Sequence, residues 1–249
     1  MGRMFEALKK ADEQKKISPG AAGMFEPRPV LRRKAPEALG LPDRSREEYN
    51  QLRQSIISLT PDLKSRSILF VSSAAGEGNP QVFADFGLAL AGLGERVVLV
   101  DTDLRNPVLH ELFGVEKSPG ISELLSNKYR LNQVMHDVER YDLRVITGGG
   151  SVSNPFPLLD LPTLSGLIDE MKTEAEWILF NSPPVSACND AITLSNKVDG
   201  VVLVVQAEKT RWEVAQSAKE RLQGGNANVL GVVLNDRRMH IPGWIYRRL

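Results

Sequence analysis

The stretch SILFVSSAAGEGNPQVFADFGLALAGLGERVVLVDTDLR, residues 67–105, decides the fold. Ser67–Ser72 (SILFVS) and Val97–Asp101 (VVLVD) are short apolar runs with β-branched residues and no polar alternation, the pattern of strands buried on both faces. Between them a glycine-bearing loop, Ser73–Pro80, leads into a helical pattern over Pro80–Leu93. Four more such runs follow at Leu143–Thr147, Trp177–Asn181, Gly200–Val205 and Val229–Asn235, with helical patterns over Leu161–Lys172 and Thr210–Leu222. Strand–helix–strand repetition predicts right-handed crossovers and a mostly parallel sheet flanked by helices, an α/β three-layer sandwich.

Composition narrows the function. The 249 residues are 42% hydrophobic and 25% charged, enough for a sizeable core. Lys and Arg total 31 against 31 for Asp and Glu, a balance that argues against a general nucleic-acid binder. The single cysteine, Cys188, excludes an intramolecular disulfide and fits a reducing compartment. No apolar run reaches the roughly 20 residues of a membrane span, and the charged N-terminus lacks a signal-peptide core. The expectation is a cytosolic protein with no direct membrane span. Residues 1–44 hold ten Lys or Arg, six Asp or Glu and five of the 15 prolines. Within them 17–44 reads as a flexible basic linker. Residues 1–16 read as a short amphipathic segment with Met4, Phe5, Leu8 and Ala11 on one face, and 45–249 as the folded domain.

In an open parallel sheet, ligands bind outside the carboxyl ends of the strands. After the first strand, Ser73-Ala74-Ala75-Gly76-Glu77-Gly78-Asn79-Pro80 has the placement of a phosphate-binding loop, where backbone N–H groups and a helix dipole converge on an anion. After the second, Asp101 and Asp103 set two carboxylates two residues apart, suited to holding a metal or orienting a nucleophile. Asn181 and Asn235 end two later strands. A dinucleotide fingerprint is unsupported, because Gln81 stands where its third glycine belongs. Glu77 and Arg105 are candidates for a local ion pair.

Residues 68–113, with VLVDTDLRNP (98–107), NSPPVSACNDA (181–191) and VLGVVLN (229–235), make the chain resemble the bacterial tyrosine kinase family. These are P-loop proteins that partner membrane polysaccharide co-polymerases, and the similarity extends over about 44–235. The resemblance assigns Gly76, Glu77, Gly78, Asn79, Pro80, Gln81 and Asn181 to a degenerate phosphate and metal cradle. It sets Asn235 at the adenine base and leaves Asp101 and Asp103 as residual catalytic carboxylates. The pattern G-x-x-x-x-G-K-[ST] needs a lysine for the β/γ-phosphates and a hydroxyl for Mg²⁺; here those positions are Asn79 and Pro80. The strand-end aspartate that the family associates with the metal is the neutral Asn181. Each lost hydrogen bond to a charged group costs about 1.5–3 kcal/mol. One preorganised donor is worth roughly 10²–10³ in rate, in a chemistry that rests on positioning and charge neutralisation. Turnover is therefore expected to be abolished. Asn79 is expected to cap the following helix, with Pro80 at its first position.

Two further segments bear on partners. Residues 47–53 (EEYNQLR) resemble the family's ring-forming motif Glu-x-x-Arg-x-x-Arg; Glu47 and Arg53 match, and Asn50 replaces the middle arginine. Three-residue spacing presents Glu47, Asn50 and Arg53 together as oligomer or partner contacts, while Tyr49, Leu52 and Ile56 form the stripe that packs this helix on the domain. Autokinases of the family usually carry a tyrosine-rich C-terminal tail; the tyrosines here are Tyr49, Tyr129, Tyr141 and Tyr246, none adjacent to another, and a single Tyr246 makes a poor acceptor cluster. Trp244 and Ile245 are read as anchors of the tail His240–Leu249 to the body or a partner. His110, His136 and His240 show no metal spacing, and no metal site is expected.

The resemblance implies a catalytically impaired regulatory or scaffold partner in exopolysaccharide assembly, held at the inner face of the membrane through a membrane co-polymerase or an active kinase paralogue. A homo-oligomer is a further expectation. No cofactor is expected. ATP or ADP with Mg²⁺ belongs to the first alternative, an autokinase that binds ATP by unusual contacts. The second alternative is a positioning ATPase of the MinD/ParA type.

Overall fold

The computed structural model describes residues 43–138 and 141–237. The N-terminal segment 1–16, nearly all of the linker 17–44, and the tail His240–Leu249 with Tyr246 lie outside them.

Among the described residues seven strands build one sheet: β1 (Arg66–Ser72), β2 (Val97–Asp101), β3 (Met135–Val138), β4 (Leu143–Ile146), β5 (Trp177–Asn181), β6 (Gly200–Gln206) and β7 (Val229–Asn235). Their order is β3-β4-β2-β5-β1-β6-β7, parallel throughout except for the antiparallel β3–β4 edge. The six strands expected from apolar runs are all present. Consecutive residues of β1 serve opposite faces: Leu69 and Val71 enter one core, Ile68 and Phe70 the other. That double burial is why the run shows no polar alternation.

One face is covered by α1 (Asp43–Leu59), α2 (Asn79–Gly92) and α3 (Leu109–Phe113). The other carries α4 (Ile121–Leu125), α5 (Leu131–Val134), α6 (Phe156–Asp160), α7 (Pro162–Glu174), α8 (Asp190–Ser195) and α9 (Trp212–Gly224). Helix α1 opens at Asp43, inside the segment read as linker. As its stripe predicted, Ile56 is buried and Tyr49 and Leu52 pack on the same core. An aromatic cluster locks α2 to the sheet. Phe86 meets Trp177 edge-on at 5.9 Å, Phe70 meets Phe83 edge-on at 6.0 Å, and Tyr49 reaches Phe86 at 6.1 Å. Gly87 brings α2 closest to the sheet: a Cβ there would lie 2.6 Å from Leu99 Cδ2. The carboxyl ends of β1, β2, β5 and β7 thus converge beside the start of α2.

Candidate functional site

The loop between β1 and α2 turns twice through left-handed backbone, at Gly76 (φ 84°) and Gly78 (φ 82°). L side chains disfavour this region, so both turns use glycine. Gly78 has a second reason: a Cβ would lie 2.2 Å from Asn235 Nδ2. That amide, at the end of β7, donates to Glu77 O at 2.9 Å and clamps the loop from above. Glu77 itself turns inward and is 5% exposed. Its carboxylate accepts from Ser73 Oγ at 2.6 Å, Ala74 N at 2.9 Å and Thr210 Oγ1 at 2.5 Å. The expected Glu77–Arg105 pair does not form. Arg105 bonds Asp190 at 3.0 Å instead, because the inward fold of Glu77 leaves α8 as the guanidinium's acidic neighbour.

The helix start also differs from expectation. Gly78 is the cap, Asn79 the first helical residue and Pro80 the second, and no side chain caps the helix. Asn79 turns beneath the loop, 2% exposed, where its Nδ2 donates to Phe70 O at 3.1 Å and to Asn181 Oδ1 at 2.9 Å. Its Oδ1 is buried with no partner among the described residues. Asn181 Nδ2 in turn donates to Asp101 Oδ1 at 2.9 Å. Asp101 is fully buried, and its other oxygen accepts from Val108 N at 2.7 Å and Leu109 N at 2.9 Å at the start of α3. The three residues form a continuous strut of hydrogen bonds running from α2 across β5 to β2 and α3.

Burial raises the Asp101 carboxyl above the ordinary aspartate range. Burial likewise pushes Asp103 up to about 6, and the neighbouring Asp101 and Asp190 charges add to it. Asp103 folds back in a local turn, accepting from Arg105 N at 3.2 Å and Asn106 N at 2.9 Å. Gln81 leaves the loop for its own helix, donating to Asp85 at 2.7 Å.

Asp101, Asn79 and Asn181 are therefore brought together, and Glu77, Gly78 and Asn235 form a second group above them. Thr210 was not singled out by sequence; it follows β6 as the loop follows β1, and its place beyond a strand's carboxyl end was the available signal. The amides of Gly76, Gly78 and Asn79 meet no acceptor among the described residues. These amides suit an anion. The side chains do not suit a magnesium–triphosphate: Asn79 offers no cation and points away from the loop, Pro80 has neither hydroxyl nor N–H, and Asn181 has no charge.

On α1, Glu47 and Asn50 are exposed, whereas Arg53 is turned to Glu95 in a partly buried ion pair, Nε at 2.8 Å. The three motif positions are not presented as one set, because α1 packs so that Arg53 faces the turn after α2. Among the described residues no helix is long and apolar enough to cross a membrane, and no acidic, cysteine or histidine cluster has metal-binding form.

Comparison with known proteins bears on the fold and the family. Residues 64–243 match a ParA family model, described as an iron-transfer P-loop NTPase of the NUBPL type. The chain is 32% identical over 193 residues to the tyrosine-protein kinase YwqD of Bacillus subtilis, covering 78% of this chain and 81% of that protein. It is 28% identical over 194 residues to the tyrosine-protein kinase CpsD of Streptococcus agalactiae, covering 77% and 82%. Among solved structures, the chimerical protein CapA2B2 superposes with a TM-score of 0.73 at 30% identity, over 78% of this chain and 85% of that one. A seven-stranded parallel-type sheet, a glycine loop at the mouth of its first helix and these relatives together make the chain a member of the bacterial tyrosine-protein kinase family, on the ParA-type P-loop fold.

Proposed function

We propose that this member of the family is catalytically impaired and acts as a regulatory or scaffold partner in exopolysaccharide assembly. Its partner is a membrane polysaccharide co-polymerase or an active kinase paralogue. The observation that carries the reading is the direction of Asn79. In a working loop the residue after the second glycine of the pattern directs a positive charge at the phosphates. Here it donates downward to Phe70 O and Asn181 Oδ1. Phosphoryl transfer depends on positioning and charge neutralisation, and Asn79, Pro80 and Asn181 supply no charge. The competing autokinase reading leans on Asp101 and Asp103, yet both Asp101 oxygens are already engaged by Asn181, Val108, Leu109 and Asp103.

Calorimetry with ATP and Mg²⁺ tests the proposal, together with anti-phosphotyrosine blotting after incubation with ATP. Weak or absent binding and no phosphotyrosine are expected. Sub-micromolar affinity with self-phosphorylation would overturn it. Pull-down from the native cell then identifies the partner class.

A further inference from the structure

Helix α9 carries an acid in its first turn, Glu213, and a base in its last turn, Arg221. Eight residues part them, about 12 Å along the axis, with Ser217 midway. Steps of four residues set the three along one row of the helix surface. All three are exposed. The row lies on the flank toward the loop after β5, where Glu213, Ser217 and Arg221 line a shallow cavity with Val185 and Ser186.

Both charges are left without a counter-charge by the described residues. Arg221 donates to Val185 O at 2.6 Å and to Asn189 Oδ1 at 3.2 Å. Those bonds fix the guanidinium at the rim of the cavity, and its fork carries further N–H donors beyond them. No carboxylate pairs with it among the described residues. Glu213 meets neither a donor nor a cation among them. The neighbouring carboxylate, Glu220, is held on its own helix by Gln216 Nε2 at 2.8 Å.

We propose that this row docks a second copy of the chain, two α9 helices crossing antiparallel about a two-fold axis beside Ser217. A two-fold contact is self-complementary: where one residue meets another, the reverse contact forms as well. With the axis midway between positions 213 and 221, each Glu213 faces the other copy's Arg221, and both ion pairs form together. Ser217 lies at the axis, where a small side chain lets the helices approach closely. Antiparallel crossing also sets each helix N-terminus, with its acid, against a C-terminus with its base, the favourable sense for the helix dipoles. A parallel pairing puts like charges face to face, which is costly. One helix pair covers less area than a standard interface, so the dimer is weak and depends on concentration. This inference is independent of the impaired-kinase reading.

Sedimentation equilibrium of the full chain tests it. The wild type is expected to dimerise as its concentration rises. Glu213→Arg and Arg221→Glu each set like charges opposite one another and are expected to weaken the dimer roughly tenfold or more. An equimolar mixture of the two variants restores both opposite-charge pairs and is expected to recover the wild-type dimer. Arg221 also bonds Val185 and Asn189, so circular dichroism checks that each variant folds. Ser217→Trp, an exposed change that spares those bonds, is expected to block the dimer by bulk. A wild type that stays monomeric at every concentration overturns the proposal. So does a dimer indifferent to Glu213→Arg and Ser217→Trp, or a mixture of folded charge variants that associates no better than either alone.

Discussion

Replacing Asn181 by Asp tests the hydrogen-bonded strut most directly. Asn181 is 1% exposed, and its Nδ2 donates to the fully buried Asp101. In Asn181→Asp that donor becomes an acceptor, leaving two carboxyl groups in hydrogen-bond contact without a cation. Losing the bond to a charged group costs about 1.5–3 kcal/mol, and an uncompensated buried charge costs about 3–5 kcal/mol. Sharing a proton trims the total, so the variant is expected to lose about 3 kcal/mol at neutral pH. The loss shrinks as pH falls, because a raised carboxyl pKa removes the charge in acid. Asn79→Lys in the same chain sets an ammonium where Asn79 Nδ2 already meets position 181 at 2.9 Å, and is expected to return about 2 kcal/mol as coupling. Urea unfolding of the wild type, both single variants and the double variant, followed by far-UV circular dichroism, closes the cycle. If Asn181→Asp costs less than about 1 kcal/mol and the two changes add within about 0.5 kcal/mol, the strut is not a coupled unit and the reasoning fails.

Other predictions concern the loop, the acid pair and α1. Asn79→Lys, Pro80→Thr and Asn181→Asp together are expected to restore ATP–Mg²⁺ binding by calorimetry; a folded triple variant that binds nothing contradicts descent from a triphosphate pocket. Gly78→Ala should destabilise by at least about 1–2 kcal/mol from its left-handed backbone alone, with Asn235 displaced from Glu77, read as a lower urea midpoint. Folding raises the Asp103 carboxyl to about 6, so its contribution is present below the unfolded value near 3.8 and is lost as pH rises through 6. Asp103→Asn should therefore gain on the wild type in melting temperature between about pH 4 and pH 7. Arg53→Ala should lower stability by roughly 1 kcal/mol through its Glu95 pair and leave the sedimentation coefficient unchanged.

The sheet was largely legible because double burial writes an unmistakable signal: SILFVS, VVLVD and WILFN admit few other readings. Strand β3 was not, since MHDV is four residues long, lies at an edge, and is only half-buried over Met135–Asp137. The family loop was recognisable from its setting, and its missing lysine and hydroxyl were plain in Asn79-Pro80. The direction of Asn79 was not legible. It depends on the left-handed turn at Gly78, which shifts the helix start by one residue and exchanges a surface cap for a buried contact. A clue did exist: the paired replacements at 79 and 181 are both amides, and two amides satisfy each other where a lysine and an aspartate otherwise do so. Glu77 shows the limit of local reading, since Ser73 is near in sequence while Thr210 comes from a loop 133 residues away.

Amides tie these strand ends together directly, with Asn79 Oδ1 the one buried atom of the set left without a partner among the described residues. On the impaired reading proposed above, Asn79, Asn181 and Asp101 keep their spacing whether magnesium and nucleoside triphosphates are plentiful or scarce. As the scaffold proposed above, such a platform presents the same contours to a neighbour in a starved cell and in a growing one.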